Sequence, residues 1–368
     1  MPRTGLRLDL EYLRGVAIIA VVLIHAVDPV VITDRAGALL LPYLALDVLA
    51  HVAVPLFVAV SGYVLMARHP PPVAAGPFVA RRLGLLLPPY LIVSAAVLLA
   101  GVLAAGPVPS PLEVLVRLLT GTAAFHLWFV PLVVELALLY PWLAPPVRRA
   151  AIRGTVAPWL VLLLPCSSAY FLGKALLFLA PLDWAVQAGL LQGLSFAGYL
   201  VFFVAGMAAG ARPQALDALL ARLTLPRVLP LVLVALLLGM ARFQAAAEPS
   251  PLMLGLAALS FLVEPAAYLL GAGLLVRAAR DPRLARQARL LSPLAWLGGA
   301  SYGIYLVHGG LVGLVIEALA GAGIAMDSLL YLPLVAGSLL ALSAAVVGVA
   351  ARLPGGRRWS GTGFGRGA

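Results

Sequence analysis

Apolar runs of membrane-crossing length recur along the whole chain, and they limit its fold more than any other feature. A helix that crosses a bilayer needs about 20 mostly apolar residues. Hydrophobic residues make up 63% of the 368 residues and charged residues 11%, so a soluble core would not absorb the apolar surface. Ten candidate spans are found, at 10–29, 42–66, 83–105, 126–144, 156–173, 193–211, 228–246, 252–276, 293–317 and 329–351.

These runs predict an all-α, polytopic membrane protein with about ten transmembrane helices. Residues 1–351 form the membrane domain in this prediction, and the Gly- and Arg-rich residues 352–368 form a disordered tail. Between the fifth and sixth spans, residues 174–192 carry Lys174 and Asp183, which favour an interfacial or re-entrant helix over another span.

The basic residues orient the chain. With both termini in the cytoplasm, 21 of the 25 Lys and Arg residues fall on the cytoplasmic side, as the positive-inside rule requires. We therefore predict an N-in, C-in protein of the cytoplasmic (inner) membrane. The net charge of +11 then reflects topology and anionic lipid rather than nucleic acid. The single cysteine, Cys166, provides neither a disulfide nor a cysteine cluster, and we expect no metal.

The first span carries the strongest set of polar residues. Arg14 and His25 are eleven residues apart, which is close to three full helical turns, so they share one face about 16 Å apart along the axis. Ionisable residues inside a span are expensive and often functional. His25 is a candidate general base, and Asp28 lies one turn later, where it would orient the imidazole. The alternative is a buried structural histidine bonded to a neighbouring helix.

Other polar groups lie at the span ends. Asp47 and His51, four residues apart in the second span, form either a proton-handling pair or a structural polar pair. Arg68, Arg81 and Arg82 are either topology anchors or donors for an anionic phosphate.

The fourth and ninth spans supply further candidates. Trp128 and Glu135 lie in the segment HLWFVPLVVE, and Tyr302, Tyr305 and His308 follow one another at three-residue spacing in SYGIYLVH. We expect the second set to line a cavity. Glu264 is an isolated acid that serves the same cavity or caps a helix.

Two enzyme signatures are missing from the sequence: it has no P-loop and no H-E-x-x-H motif. The segments that it does contain are RLDLEYLRGVAIIAVVLIHA, PLFVAVSGYVLMAR, RRLGLLLPPY, HLWFVPL and SYGIYLVH. In this order they resemble the motifs of the acyltransferase-3 family of multi-pass membrane O-acyltransferases. One departure is Leu85, at a position where the family commonly has an arginine.

The resemblance implies transfer of an acyl group, often acetyl, from cytoplasmic acyl-CoA to a hydroxyl of an extracytoplasmic carbohydrate or glycolipid. It places the essential histidine at His25 and the first-helix arginine at Arg14. The family's arginines flanking the second and third helices fall on Arg68, Arg81 and Arg82, which together with Arg14 would bind the donor. Trp128, Glu135, Tyr302, Tyr305 and His308 are then candidates for substrate binding, and no tightly bound cofactor is expected beyond acyl-CoA as a donor substrate.

Two other classes of protein remain open from the residues alone. A secondary transporter would use the first-span stripe with Asp47 and His51 as a proton path, and broken helices would suit it. A non-catalytic membrane scaffold fits the intramembrane Arg14 and His25 less well. The sequence does not determine the acceptor, the acyl chain length or the oligomeric state. It also leaves open whether the acyl group is transferred directly or through a transient acyl-histidine at His25.

Overall fold

The computed structural model of the chain describes residues 4–32, 37–104, 106–179, 183–247, 250–281 and 290–356, together with 283 and 287. The described residues are helical, with short connections and no strand. In chain order the helices are α1 (Thr4–Ile32), α2 (Leu40–Ala50), α3 (Ala53–Arg68), α4 (Ala75–Leu103), α5 (Pro111–Thr120), α6 (Phe129–Arg153), α7 (Ala157–Leu179), α8 (Trp184–Gly193), α9 (Ser195–Ala211), α10 (Pro213–Arg222), α11 (Leu225–Ala247), α12 (Pro251–Ala279), α13 (Ser292–Gly321) and α14 (Tyr331–Ala350).

The predicted fold class is confirmed. Within the described ranges, ten helical segments are long and apolar enough to cross a membrane, and each overlaps one of the ten predicted spans. The second span, Gly37–Arg68, combines a short 3₁₀ turn with α2 and α3. The predicted tail lies largely at 357–368, outside the described residues.

The second span is broken at His51 and Val52 for a local reason. Pro55 has no N–H to donate to the carbonyl of His51, and its ring crowds that carbonyl. α2 therefore ends at Ala50 and α3 begins at Ala53. Pro29 stands in the same relation to His25 in α1, although that helix continues to Ile32.

The segment 174–192 is divided between two helices. Residues up to Leu179 extend α7, and α8 begins at Trp184 and packs on α5, α7 and α9. One helix was not expected from the apolar pattern: α5 begins with a capping box in which Ser110 and Glu113 satisfy each other's backbone N–H groups. The sequence S-P-L-E signals this start.

The chain divides into two compact units. The first comprises residues 1–60 and 212–346, and the second comprises 61–211 and 347–368. In the second unit, α9 is the centre of the packing. A Cβ added to Gly62 would lie 2.3 Å from the carbonyl oxygen of Phe203, so the end of α3 lies directly against the α9 backbone. Tyr140 of α6 is fully buried beside the Phe203 ring.

In the first unit, α1 and α13 form the most intimate helix pair. A Cβ on Gly298 would lie 1.8 Å from the carbonyl oxygen of Glu11, and one on Gly15 would lie 2.3 Å from that of Leu294. Small residues at such crossings let two membrane helices approach backbone to backbone. Towards the other end of the pair, an apolar core joins α1 to α2, α13 and α14, with Tyr331 and Leu339 buried at its centre.

Candidate functional site

His25 and Asp28 form a hydrogen-bonded pair on α1. The Nδ1 atom of His25 lies 3.0 Å from Oδ2 of Asp28, and the side chains are 16% and 41% exposed. A carboxylate accepts, so this contact puts the Nδ1 proton on His25 and directs the lone pair of the neutral ring to Nε2. The pair thus has the orientation that a general base requires, with Nε2 as the basic atom.

His308 of α13 lies against this pair. Its ring stacks on the ring of His25 with centroids 5.2 Å apart and an interplanar angle of 29°. Nδ1 of His308 donates to the carbonyl of Tyr305 at 2.7 Å, and the whole residue is buried. The close α1–α13 crossing therefore brings together two imidazoles from helices nearly 300 residues apart in the chain.

The remaining predicted residues of the first unit lie on the same two helices. Arg14 is half-buried on α1, three turns before His25. Tyr305 is buried with its ring 5.8 Å from the His308 ring, and Tyr302 is half-buried one turn earlier on α13. The structure thus joins His25, Asp28, Tyr305 and His308 in one aromatic and polar cluster.

A second polar cluster of the same unit lies on α2, α11 and α12. Nη1 of Arg242 on α11 donates to both carboxylate oxygens of Glu264 on α12 at 2.9 Å. Glu264 is therefore an ion-pair partner rather than an isolated acid. On α2, Asp47 is 2% exposed, and its Oδ2 lies 3.5 Å from Nδ1 of His51. Asp47 also lies within electrostatic range of Arg242, Asp28 and His25, so the two clusters are neighbours.

The Arg242–Glu264 pair yields a prediction about stability. Arg242→Met leaves a mostly buried carboxylate without its partner, and we expect a loss of about 3 kcal/mol in the free energy of unfolding. The double variant Arg242→Met with Glu264→Gln should recover most of this loss, because no unpaired charge remains. Thermal unfolding of the purified variants in one detergent measures both effects. Equal melting temperatures for the single and double variants would contradict it.

Three of the four arginines predicted to bind the donor lie in the second unit, whereas Arg14 lies in the first. Arg68 ends α3 and is exposed, Arg81 is exposed on the first turns of α4, and Arg82 lies with its guanidinium carbon 5.8 Å from the centre of the Phe78 ring. Between the two helices, His69 accepts a 2.6 Å hydrogen bond on its carbonyl from the hydroxyl of Tyr140. This bond ties the loop after α3 to α6.

The pKa of the His69 side chain depends on its burial and on the charges around it. Its pKa is lowered, first by burial and then by Arg82, Arg81 and Arg68. A cation beside three guanidinium groups is unfavourable, so His69 stays neutral near pH 7. The same positive field would attract an anion to this loop. His69 was not among the residues predicted from sequence, although its position among three arginines was visible there.

Trp128 and Glu135 also lie in the second unit. The ammonium of Lys174 lies 5.4 Å from the centre of the Trp128 ring, which also packs beside Tyr199. The carboxylate of Glu135 accepts from the hydroxyl of Ser195 at 2.7 Å, the backbone N–H of Phe196 at 3.2 Å and the amide of Gln192 at 3.2 Å. Glu135 thus satisfies donors at the N-terminus of α9, where a negative charge is favourable.

Comparison with known families decides the class of the protein. The family model described as an acyltransferase domain, that of acyltransferase-3, matches residues 7–349. The chain belongs to the acyltransferase-3 family. No curated protein and no solved structure matches the chain. The chain is thus a multi-pass membrane acyltransferase, and the family favours this reading over the transporter and the scaffold.

Proposed function

We propose that this acyltransferase-3 protein is an O-acyltransferase that uses His25 as general base. The donor in this proposal is cytoplasmic acyl-CoA, acetyl-CoA in the first instance. The acceptor is a hydroxyl of an extracytoplasmic glycan or of a glycosylated lipid or metabolite. The observation that carries the proposal is the His25–Asp28 hydrogen bond in the first helix of an acyltransferase-3 chain.

In the proposed reaction, His25 holds the transferred proton between the attack step and the departure of the thiol. Nε2 takes the proton of the acceptor hydroxyl while the oxygen attacks the thioester carbonyl. The carbon–sulfur bond then breaks, and the imidazolium returns the proton to the departing thiolate. The products are an ester and free CoA thiol. Asp28 supports the step because its carboxylate stabilises the imidazolium that forms.

His308 supports the same proton transfer in this proposal. Its Nδ1 is engaged by the carbonyl of Tyr305, and its ring covers one face of the His25 ring. A stacked neighbour fixes the plane of an imidazole, so Nε2 of His25 keeps a single direction. We assign His308 a positioning role and Tyr302 and Tyr305 a place beside the substrate.

We assign the binding of the donor, acyl-CoA, to the arginines. A guanidinium presents planar donors that match phosphate oxygens, so Arg68, Arg81 and Arg82 suit the phosphates of CoA. Arg14 is assigned to the donor as well, about 16 Å along α1 from His25. The distribution of basic residues supports placing these arginines at the cytoplasmic surface, where acyl-CoA occurs. Trp128 and Glu135 are assigned to the acceptor.

One experiment tests the function. The purified protein is incubated with acetyl-CoA and candidate sugar acceptors, and release of the CoA thiol is followed together with ester formation. We expect acceptor-dependent thiol release by the wild type and none by His25→Ala. If the wild type neither binds nor consumes any acyl-CoA, the proposal fails.

The arginine loop gives a separate prediction on binding. An anion bound among Arg68, Arg81 and Arg82 offsets the positive field that lowers the pKa of His69. CoA binding should therefore raise this pKa and cause proton uptake at pH 6–7, near the ordinary pKa of about 6.5. Calorimetry in buffers with different ionisation enthalpies measures the uptake.

The matched variants separate this loop from other arginines. His69→Gln should bind CoA and abolish the uptake, and Arg82→Gln should weaken CoA binding about tenfold. Arg153→Gln, an exposed arginine at the end of α6, should change neither quantity. Equal weakening by Arg82→Gln and Arg153→Gln would remove the loop from the donor site.

A further inference from the structure

An apolar crevice opens in the first unit between α2, α11 and α12. Its volume is about 620 Å³, within the range of about 300–1,000 Å³ found for ligand pockets. Val48, Leu49 and Val52 line one end, and Arg277 and Asp281 line the other. The walls between them are alkyl side chains of α11 and α12, together with the ring of Tyr268.

A small residue of α12 helps to leave the crevice open. A Cβ on Gly271 would meet only Val52, at 3.7 Å, so α12 leaves room there for a further group. All three helices are candidate membrane spans, so the surrounding solvent is lipid and the natural occupant of an apolar slot is an alkyl chain.

The polar end carries one arginine, Arg277, and one aspartate, Asp281. Arg277 donates to the carbonyl of Leu223, and Arg280 forms an ion pair with Asp217. The carboxylate of Asp281 accepts from the backbone N–H of Arg283 at 2.8 Å. A guanidinium has five donors, so the contact of one Arg277 nitrogen with Leu223 leaves that group able to bind a phosphate as well.

We propose that this crevice binds an anionic phospholipid of the surrounding bilayer, with one acyl chain between α11 and α12 and the phosphate at Arg277. Basic pockets between membrane helices bind anionic head groups in this manner. The end of this acyl chain would lie beside Tyr268, which is within electrostatic range of Glu264, Arg242 and Asp47. The bound lipid would thus keep bulk water from the cluster of Arg242, Glu264 and Asp47.

The site is independent of the acyl-transfer reaction, so its test does not depend on activity. The purified protein in mild detergent is titrated with phosphatidylglycerol or with phosphatidylcholine of identical acyl chains, and native mass spectrometry gives the lipid-bound fraction. We expect phosphatidylglycerol to bind at least tenfold more tightly. Equal affinity for the two lipids would overturn the proposal, because the head group would then play no part.

Two pairs of variants locate the site. Arg277→Gln should reduce the preference for phosphatidylglycerol to below threefold, whereas Arg153→Gln should preserve it. Gly271→Leu should weaken the binding of both lipids at least fivefold. Gly255→Leu, on an exposed face of the same helix, should not change the binding of either lipid. Full binding by Gly271→Leu would overturn the proposal, as would tighter binding of a polyprenyl phosphate, which would identify a different occupant.

Discussion

Replacement of His25 by alanine is expected to lower the turnover number for acyl transfer at least about 10³-fold. A positioned general base contributes about 10²–10⁴-fold to such reactions, and the neighbouring imidazole, that of His308, is completely buried, whereas the His25 side chain is partly exposed. Thiol release from acetyl-CoA in the presence of the acceptor measures the effect, and CoA binding should stay within about twofold of the wild type.

Three further variants show whether the loss is chemical. Asp28→Asn should lower turnover about 10–100-fold and leave the Michaelis constant for the donor unchanged. The loss is limited because the Asp28 side chain is half-exposed, so water replaces part of its interaction with His25. His308→Phe keeps a stacked ring, so it should lower turnover less than His308→Ala does. His51→Ala is the matched control, since His51 also lies four residues before a proline but has no place in the proposed reaction. Turnover by His25→Ala above a tenth of the wild-type value would refute the assignment.

The spans were predictable because the bilayer fixes both the length and the composition of a crossing helix. All ten were placed by counting apolar residues. Apolar counting alone does not predict where the helices end inside the second span, because this break depends on Pro55 and the carbonyl of His51. α5 was missed because its amphipathic turns are too short for a span, although Ser110 and Glu113 form a recognisable capping box.

The candidate site was predictable only within one helix. The spacing of Arg14, His25 and Asp28 follows from helical geometry alone, and the hydrogen bond between His25 and Asp28 agrees with it. The stacking of His308 on His25 could not be derived, because it depends on how α1 and α13 cross. Spacing along α13 placed Tyr302, Tyr305 and His308 near one another, without indicating which helix they would meet.

Ionisable residues on separate helices were the hardest to assign. Arg242 and Glu264 were both visible in apolar runs, and the cost of an unpaired charge at membrane depth predicts that such residues pair. Choosing the partner required the packing of α11 on α12. Glu135 presents the same difficulty: its carboxylate meets the start of α9, some 60 residues away in the chain.

The crossing of α1 and α13 carries the second large prediction: Gly298→Ala should lower turnover about 10²-fold and also lower the melting temperature. The new Cβ would lie 1.8 Å from the carbonyl oxygen of Glu11, so the two helices must separate by more than about 1.2 Å to lengthen this contact beyond 3.0 Å. A shift of that size moves His308 away from His25, and a misplacement of about 1 Å can cost about 10²-fold in rate.

Gly299→Ala is the matched control for this crossing, because the adjacent glycine has nothing within 4 Å of its added Cβ. It makes the same chemical change on the same helix, and it should leave turnover and melting temperature close to those of the wild type. Turnover and circular dichroism melting of the two purified variants in one detergent provide the measurement. If Gly298→Ala retained both wild-type values, α1 and α13 would not cross at Gly298, and the stacking of His308 on His25 would lose its structural basis. If both variants lost activity equally, the loss would come from alanine in this part of α13 rather than from the crossing.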